Sequence, residues 1–550
     1  MSVTSEHAAE VRAARGPIEQ YDTIVIGAGI SGMYQLHRLR ELGLSVRAFE
    51  AGGDVGGTWY WNRYPGARFD SESWTYGYSF DDEILQEWEW SENFAAQPET
   101  LRYCNFVADK LDLRRDITFN TRVLSAAFDE AENRWELEND DGSRARARFL
   151  ISAMGPLSAY TMPNIPGLDS FKGEAYHTAR WPHELVRFEG KRVAVIGTGA
   201  TAVQAITEIA KTVGDMTVFQ RTPNWCKPLR NAKIAPDEMA AIRARYDEIF
   251  ARCKETWGGF VHKADERMAL GVSEEEREAL FEKLYAEPGF SFWMSNFSDL
   301  MIVPQANAMV SEFLARKIRE RVNDPVVAEK LIPKNHGFGT RRVPLESGYY
   351  EVYNQDNVHL VDINETPIEC ITTNGIKSSD TDYEFDMIIY ATGFDAITGA
   401  FDRLNITGIG GQKLKDKWAE GPQTYLGLMS VGFPNFFTII GPHNAATFCN
   451  IPRCAEQNVD WVADLIVYMR DHDYQRIAPT PEAEDAWTKH VYDTSSFLLL
   501  TQVDSWMTGI NKNVPWRNKR TFMAYAGGAP NYRQRCEDVV ANGYEGFELQ

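Results

Sequence analysis

The chain has 550 residues, of which 44% are hydrophobic, 12% aromatic and 25% charged, a composition that excludes disordered, collagen-like and low-complexity proteins. Its 57 Lys and Arg stand against 78 Asp and Glu, and the net charge of −21 argues against nucleic acid or an anionic membrane as a partner. At about 150 residues per domain, the length allows three to four domains or a few enlarged ones.

The N-terminal residues and the cysteines indicate a cytoplasmic protein. Residues 1–20 are polar and carry neither a signal-peptide nor a transit-peptide pattern, and no apolar run approaches the roughly 18 residues of a membrane span. The seven cysteines include no C-x-x-C pair, so neither a disulfide framework nor a zinc site is expected. Only Cys449 and Cys454 have C-x-x-x-x-C spacing, and we interpret them, like the others, as unpaired thiols.

Residues 21–50 predict a strand, a tight turn, a helix and a second strand. Residues 21–26 are apolar and β-branched, residues 33–42 have helical spacing, and residues 44–49 form a second apolar run that ends on Glu50. The turn carries the G-x-G-x-x-G pattern of dinucleotide sites in Gly27, Gly29 and Gly32. A helix N-terminus favours a pyrophosphate, and a carboxylate after the second strand accepts from ribose hydroxyls but repels a 2′-phosphate. We therefore predict a site for a dinucleotide without a 2′-phosphate here.

A second unit of the same kind starts at residue 192. Residues 192–196 predict a strand, which is followed by a turn with Ala in the third glycine position, a helix through residue 211 and a strand over residues 216–219. Gln220 and Arg221 stand where an acid would be expected, and a guanidinium binds a 2′-phosphate with two hydrogen bonds, which favours NADPH over NADH. The predicted NADP contacts of this unit are Gly197, Thr198, Gly199, Ala200, Thr201, Ala202, Arg221 and Thr222. Two such sites in one chain imply hydride transfer from NADPH to FAD.

The rest of the chain indicates how the two units are connected. Residues 149–155 and 385–393 are apolar runs that each end on a glycine, and we expect the chain to pass between two sheets there. Residues 231–327 are rich in Glu, Lys, Arg and Ala and predict exposed amphipathic helices. The predicted fold is α/β, with two Rossmann-like dinucleotide-binding domains and a helical insertion in the second. The predicted parts are a polar extension (1–20), the first part of the FAD domain (21–155), the NADP domain (156–385, with its insertion over about 228–332), and the second part of the FAD domain with a C-terminal loop region (386–550).

Two longer patterns accompany the glycine turns. Residues 171–182 match F-x-G-x-x-x-H-T-x-x-W-P, and residues 56–70 match A/G-G-x-W-x-x-x-x-F/Y-P-G/M-x-x-x-D. With the two turns they are typical of type I Baeyer–Villiger monooxygenases, and from about residue 21 onward the chain resembles the cyclohexanone, phenylacetone and steroid monooxygenase branch of that family. The first pattern consists of Phe171, Gly173, His177, Thr178, Trp181 and Pro182. Because His177 lies in a linker, we interpret it as coupling the domains rather than moving a proton.

The resemblance assigns roles to further residues. It implies that Arg342 is the active-site arginine, that Asp70 is its carboxylate partner, and that Arg341 is a second contact to the 2′-phosphate. From the residues alone, a solvated basic pair is the favoured interpretation of Arg341 and Arg342. The implied FAD contacts are Gly27, Gly29, Gly32, Glu50, Thr58, Trp59, Asp70, Tyr76 and Val123; the further NADP contacts are Arg341, Arg342 and Trp506; and the substrate-pocket candidates are Phe448 and Ile451.

The implied reaction is insertion of one oxygen atom next to a ketone carbonyl, through a flavin C4a-peroxide, to give an ester or lactone. Arg342 would offset the negative charge of the peroxide and of its adduct with the ketone. The implied partners are a small-molecule ketone and dioxygen, and the oligomeric state is left open, a monomer included. A flavin monooxygenase for amines or sulfides stays an alternative, as does an FAD/NADPH reductase or a non-catalytic redox-binding protein. The loop over residues 509–519 is two residues longer before Pro515 than is usual in the family, so no substrate is transferred from a relative.

Overall fold

Two separate β-sheets form the centre of the molecule in the computed structural model, which describes residues 18–444 and 449–550. The first sheet has eight strands. Seven follow in the order Asn405–Thr407, Val123–Asp129, Arg134–Asn139, Arg144–Ser152, Ile18–Ile26, Val46–Phe49 and Ile117–Thr118, and Phe436–Thr438 pairs with Arg144–Ser152 as the eighth. The second sheet has five parallel strands in the order Val358–Asp362, Asp215–Gln220, Arg192–Ile196, Met387–Tyr390 and Glu174–His177.

Each predicted glycine unit folds as a strand, a helix and a parallel strand. The helix Ile30–Glu41 connects the first pair of strands, and the helix Ala200–Ile209 connects the second pair. Parallel strands are covered on both faces and need continuous apolar sequence; accordingly, residues 23–26 and 193–196 are all buried. The prediction of an α/β fold with two Rossmann-like units is confirmed.

Two predicted boundaries are wrong. The first strand begins at Ile18, so residues 18–20 belong to the sheet, while residues 1–17 lie outside the described residues. The strand Met387–Tyr390 pairs with Arg192–Ile196 and with Glu174–His177, so the second sheet continues past the predicted boundary at residue 386. Met387–Tyr390 lies between two other strands of the second sheet, so the chain leaves that sheet only after this strand ends. It rejoins the first sheet with Asn405–Thr407.

Helices cover both sheets and form the insertion. Outside the insertion the helices are Ile30–Glu41, Thr58–Trp61, Ser73–Tyr76, Asp82–Glu87, Gln97–Lys110, Ala200–Ile209, Gly399–Arg403, Leu414–Lys417, Ile451–Asp471, Pro481–Ser495 and Ala529–Ala541. Those of the insertion are Pro236–Arg243, Tyr246–Glu255, Glu274–Ala286, Ser291–Met294, Pro304–Arg321 and Pro325–Leu331. No helix in the described part of the chain combines the length and apolarity that a membrane crossing requires.

The remaining strands form three small sheets. Lys227–Pro228 pairs in parallel with Leu345–Glu346, and Ile477–Pro479 pairs in antiparallel fashion with Phe547–Leu549. The third small sheet consists of Ile368–Ile371, Gly375–Ser378 and Asp382–Glu384. The parallel pair is short, but it ties the start of the insertion to the segment that follows its end.

The insertion packs its apolar faces onto the second sheet. Phe281, Phe292 and Phe313 are buried and belong to the same apolar cluster as Val195 of that sheet. The helix Glu274–Ala286 starts in a capping box, in which Ser273 and Glu276 bond each other's backbone N–H. The insertion is therefore part of the second half of the molecule and not a loosely attached extension.

The cysteine prediction is wrong for one pair. Cys449 and Cys454 form a disulfide, with their Cα atoms 6.7 Å apart. The chain turns into the helix Ile451–Asp471 between them, which brings the two side chains to the same side. The free thiols among the described residues are Cys104, Cys226, Cys253, Cys370 and Cys536.

Candidate active site

The two glycine turns follow the first strand of each unit. Gly27 has a φ of +104°, and a Cβ there would lie 2.6 Å from the carbonyl oxygen of Ala153. Gly197 has a φ of +114°, and a Cβ there would lie 2.5 Å from the carbonyl oxygen of Ala391. A Cβ at Gly199, in contrast, would meet open space. The first glycine lets the turn pass the neighbouring strand, and the second leaves backbone that a phosphate can approach.

Glu50, predicted to contact a ribose, also holds the first turn together. Its buried carboxylate accepts from the backbone N–H of Ala28 at 2.8 Å and from that of Gly52 at 2.6 Å. Each carboxylate oxygen has a further lone pair, and Glu50 also lines the cavity described below, so both roles are compatible. The structural role was missed because only the folded turn brings the Ala28 N–H to the end of the second strand.

One large cavity of about 1350 Å³ joins the two turns. Sites for one small ligand typically have roughly 300–1,000 Å³, so this cavity has room for more than one ligand. The predicted site residues that line it are Gly27, Gly29, Glu50, Thr58, Trp59, Asp70, Tyr76, Val123, Gly197, Thr198, Gly199, Ala200, Thr201, Arg221, Thr222, Arg341, Arg342, Ile451 and Trp506. Gly32 and Ala202 are buried where each helix packs on its strand, and Phe448 lies outside the described residues.

Arg221 and Arg341 form a cationic pair beside the second turn. Both line the cavity, and neither guanidinium forms an ion pair with a carboxylate of residues 18–444 or 449–550. The Nε of Arg341 is buried without a hydrogen-bond partner among these residues. Burial, together with the charge of Arg221, lowers the pKa of Arg341. An anion stabilises two like charges held this close, and a phosphate matches the planar donors of two guanidiniums.

Asp70 and Arg342 meet on the cavity wall. The Oδ2 of Asp70 accepts from the Nη2 of Arg342 at 2.6 Å. The Asp70 side chain is 6% exposed, whereas that of Arg342 is 32% exposed. Burial raises the pKa of Asp70, and the Arg342 guanidinium opposes this rise. The pair therefore presents a fixed positive charge to the cavity and keeps its carboxylate away from water.

The pattern over residues 56–70 docks on the helix of the second unit. The Tyr64 hydroxyl donates to Oε1 of Gln204 at 2.7 Å, and the Gln204 amide donates to the carbonyl of Arg68 at 3.1 Å. Gly66 has a φ of +80°, and a Cβ there would lie 2.7 Å from the carbonyl oxygen of Gln204. The pattern thus joins the two halves of the molecule next to Asp70. Nothing in the local sequence indicates Gln204 as the partner.

Comparison with known proteins places this geometry in a family. Residues 21–253 match the flavin-binding monooxygenase-like family. The chain is 51% identical to 2-oxo-Delta(3)-4,5,5-trimethylcyclopentenylacetyl-CoA monooxygenase of Pseudomonas putida, over 96% of this chain and 98% of the relative. It is 42% identical to a Baeyer–Villiger monooxygenase of Pseudooceanicola batsensis, over 95% of each chain.

The fold agrees with this relationship. A crystal structure of OTEMO in complex with FAD and NADP has a TM-score of 0.93 at 50% identity, covering 97% of this chain and 100% of that chain. The chain belongs to the Baeyer–Villiger monooxygenases. The resemblance predicted from the glycine turns and the two longer patterns is confirmed.

In this Baeyer–Villiger monooxygenase, His177 is the last residue of a strand of the second sheet, so the prediction that it lies in a linker is wrong. Its side chain connects the segments that run between the two sheets. The backbone N–H of Ala179 donates to its Nδ1 at 3.0 Å, so Nε2 carries the proton and lies 3.3 Å from the hydroxyl of Thr392. That hydroxyl donates to the carbonyl of Thr161 at 2.6 Å. Burial lowers the pKa of His177 to about 4, so the ring is neutral near pH 7. None of the six residues of its pattern lines the cavity.

The segment that carries Trp506 is anchored on the same connection. Trp506 is half-buried and lines the cavity. The side-chain amides of Asn511 and Asn513 donate to backbone carbonyls of residues 394 and 392, at 2.9 and 3.2 Å. Arg517 forms ion pairs with Asp395, at 3.1 Å, and with Asp402. The length of this loop is visible in the sequence, but its partners lie 115 to 122 residues earlier in the chain.

Proposed function

We propose that this protein is an FAD-containing Baeyer–Villiger monooxygenase that uses NADPH and dioxygen to insert one oxygen atom next to the carbonyl of a small-molecule ketone. The product is an ester or, from a cyclic ketone, a lactone. The observation that carries the proposal is the Asp70–Arg342 pair on the wall of a cavity that both glycine turns share. A reductase or a redox-binding protein needs two nucleotide sites but no such pair between them.

The residues that line the cavity fit both cofactors. Each glycine turn leads into a helix N-terminus, whose free N–H groups favour a pyrophosphate. Glu50 suits the unphosphorylated ribose of FAD, and Arg221 and Arg341 suit the 2′-phosphate of NADP. When bound here, NADPH supplies a hydride, and FAD accepts it and activates dioxygen.

The side chains of the cavity orient the reacting groups and supply electrostatic stabilisation. A guanidinium stays protonated at any working pH, so Arg342 stabilises the negative charge that develops on the ketone oxygen when its carbonyl is attacked. Asp70 orients the guanidinium through the 2.6 Å hydrogen bond and moderates its charge. Trp59, Tyr76 and Trp506 line the same cavity and exclude water from the reacting atoms.

The test is a panel of cyclic, linear, aryl and steroid ketones, in which NADPH consumption and product mass are measured in parallel. The panel includes the cyclopentenylacetyl-CoA ketone for which the Pseudomonas putida relative is named. We expect NADPH consumption that a ketone stimulates and a product one oxygen atom heavier than that ketone. Oxides of amines or sulfides without any ester would instead indicate a heteroatom monooxygenase, and NADPH consumption without an oxygenated product would indicate a reductase.

A further inference from the structure

Lys227 is a buried lysine for which the proposed reaction has no use. It is 1% exposed, and its short strand pairs in parallel with Leu345–Glu346, just after Arg342. Its ammonium donates to the backbone carbonyl of Glu287 and, at 3.2 Å, to that of Gly289. In the described part of the chain it forms no ion pair with a carboxylate. Its hydrogen bonds therefore go to one short backbone segment.

The burial of this amine is costly unless its hydrogen bonds compensate for lost water. Burial, with the charge of Arg230 as the next cause, lowers the pKa of Lys227 to about 7. An amine keeps at least two N–H groups in either protonation state, so both carbonyls stay bonded on either side of that pH. An apolar side chain of the same length would fill the space but leave both carbonyls without this donor, and the carbonyl of Gly289 is buried.

The two hydrogen bonds hold a tight turn over residues 287–290. Gly289 has a φ of +63°, and its N–H donates to the carbonyl of Leu229 at 3.1 Å. A Cβ at Gly289 would lie 2.8 Å from the ring of Phe94 and 3.1 Å from Oε1 of Glu72. The turn is therefore wedged between the strand of Lys227 and the segment that begins at Asp70.

The last residue of the turn reaches the active site. Phe290 is 5% exposed, and the guanidinium carbon of Arg342 lies 5.0 Å from the centroid of its ring. Trp293, three residues later, has its ring centroid 5.9 Å from the same carbon. Arg342 donates hydrogen bonds to Asp70 and to the carbonyl of Val343. Its guanidinium also lies against the ring of Phe290, the residue that directly follows the carbonyl of Gly289 bonded by Lys227.

We propose that Lys227 is a positioning residue for Arg342. It holds the turn over residues 287–290, the turn holds the ring of Phe290, and the ring limits the positions that the guanidinium takes beside the ketone. This inference rests on the proposed function, because the position of Arg342 affects the chemistry only where it faces the reacting carbonyl.

The test compares Lys227→Met with Lys417→Met in the FAD-loaded enzyme. Lys417 is a matched control, because its side chain is 9% exposed, lies 2.7 Å from Glu484 and does not line the cavity. A misplacement of about 1 Å can cost roughly 100-fold in rate, so we expect the ester formed per NADPH to fall about tenfold or more in Lys227→Met. The KM for NADPH and the rate of FAD reduction should stay within about twofold. Lys417→Met should melt at a lower temperature with an unchanged ester yield.

Two further measurements separate positioning from general stability. Hydrogen–deuterium exchange, measured without ketone, should become faster over residues 287–294 in Lys227→Met and stay unchanged there in Lys417→Met. In a double-mutant cycle with Phe290→Leu, the losses of ester yield should be strongly non-additive, because the two residues act in series. Additive losses, or Lys227→Met with wild-type yield and exchange, would overturn the proposal.

Loss of FAD from the variant and failure of the wild-type protein to form an ester have different consequences for the proposal. If Lys227→Met does not retain FAD, Lys227→Gln replaces it. Its amide still donates to one carbonyl, so we expect the same changes in ester yield and hydrogen–deuterium exchange, but smaller ones. If wild-type protein forms no ester from any ketone, the proposed function fails instead. The exchange measurement then still decides whether Lys227 holds the turn, and unchanged exchange overturns the inference by itself.

Discussion

Asp70→Asn tests the proposed active-site pair of Asp70 and Arg342 most directly, because it removes one charge and almost no volume. The hydrogen bond joins Oδ2 of Asp70 to Nη2 of Arg342 at 2.6 Å. A hydrogen bond between charged groups contributes about 1.5–3 kcal/mol. Because 32% of the Arg342 side chain is exposed, solvent screens the pair and the lower value applies. About 1.5 kcal/mol corresponds to roughly a tenfold change in the rate of the ester-forming step.

The assay separates that step from the reduction of FAD. Ester formed per NADPH consumed reports on the pair, and we expect it to fall about tenfold. Stopped-flow absorbance reports on the reduction of FAD by NADPH, which should change less than about twofold because it does not need the pair.

Asp299→Asn is the matched control for Asp70→Asn. Asp299 is also a buried carboxylate, 3% exposed; it accepts from the backbone N–H of Ala269 at 2.8 Å and does not line the cavity. We expect this variant to be less stable with an unchanged ester yield. Wild-type ester formation by Asp70→Asn, or an equal loss in Asp299→Asn, would refute the reasoning.

Two substitutions in the cavity and the pKa of His177 give further tests. Arg342→Ala removes the guanidinium itself, so FAD reduction should continue while ester formation stops; ketone turnover at the wild-type rate would contradict the assignment. Arg221→Ala leaves Arg341 alone at the 2′-phosphate position, so the KM for NADPH should rise about tenfold and that for NADH less than about twofold; equal changes would remove Arg221 from this site. Burial lowers the pKa of His177 to about 4 from an ordinary 6.5, so between these values the unfolded chain binds a proton that the folded protein does not, and the melting temperature should fall as the pH falls through this range. His177→Gln should make that decline shallower, and an identical profile would contradict a buried neutral ring.

The two dinucleotide units could be predicted because their interactions are local. Gly27 and Gly197 both have positive φ, and a helix follows each turn. The residues predicted to discriminate between the cofactors, Glu50 and Arg221, each stand directly after the second strand of their unit. The units run only from Ile18 to Phe49 and from Arg192 to Gln220, so residue spacing alone carries the information. The second role of Glu50, which closes the first turn, was missed because it depends on how that turn folds back.

The ends of the sheets and the cysteine pair depend on partners that the local sequence does not show. The first strand extends to Ile18 because it pairs there with Arg144, and the last strand of the second sheet is fixed by Glu174 and Val193. An apolar pattern cannot say how many further residues a neighbouring strand will accept. Cys449 and Cys454 pair because a helix begins between them.

The sequence by itself determined the fold class, and it predicted the residues of the two cofactor sites and, through its resemblance to a family, the roles of Asp70 and Arg342. Only the tertiary structure decided how these residues are held. Asp70 and Arg342 are 272 residues apart in the chain, and Tyr64 meets Gln204 across 140 residues. Lys227 donates a hydrogen bond to a turn 60 residues later in the chain, and the ring of Phe290 in that turn packs on Arg342. Local sequence sets backbone conformation over one strand, turn and helix, whereas the contacts across the cavity arise from the packing of the two sheets and the insertion.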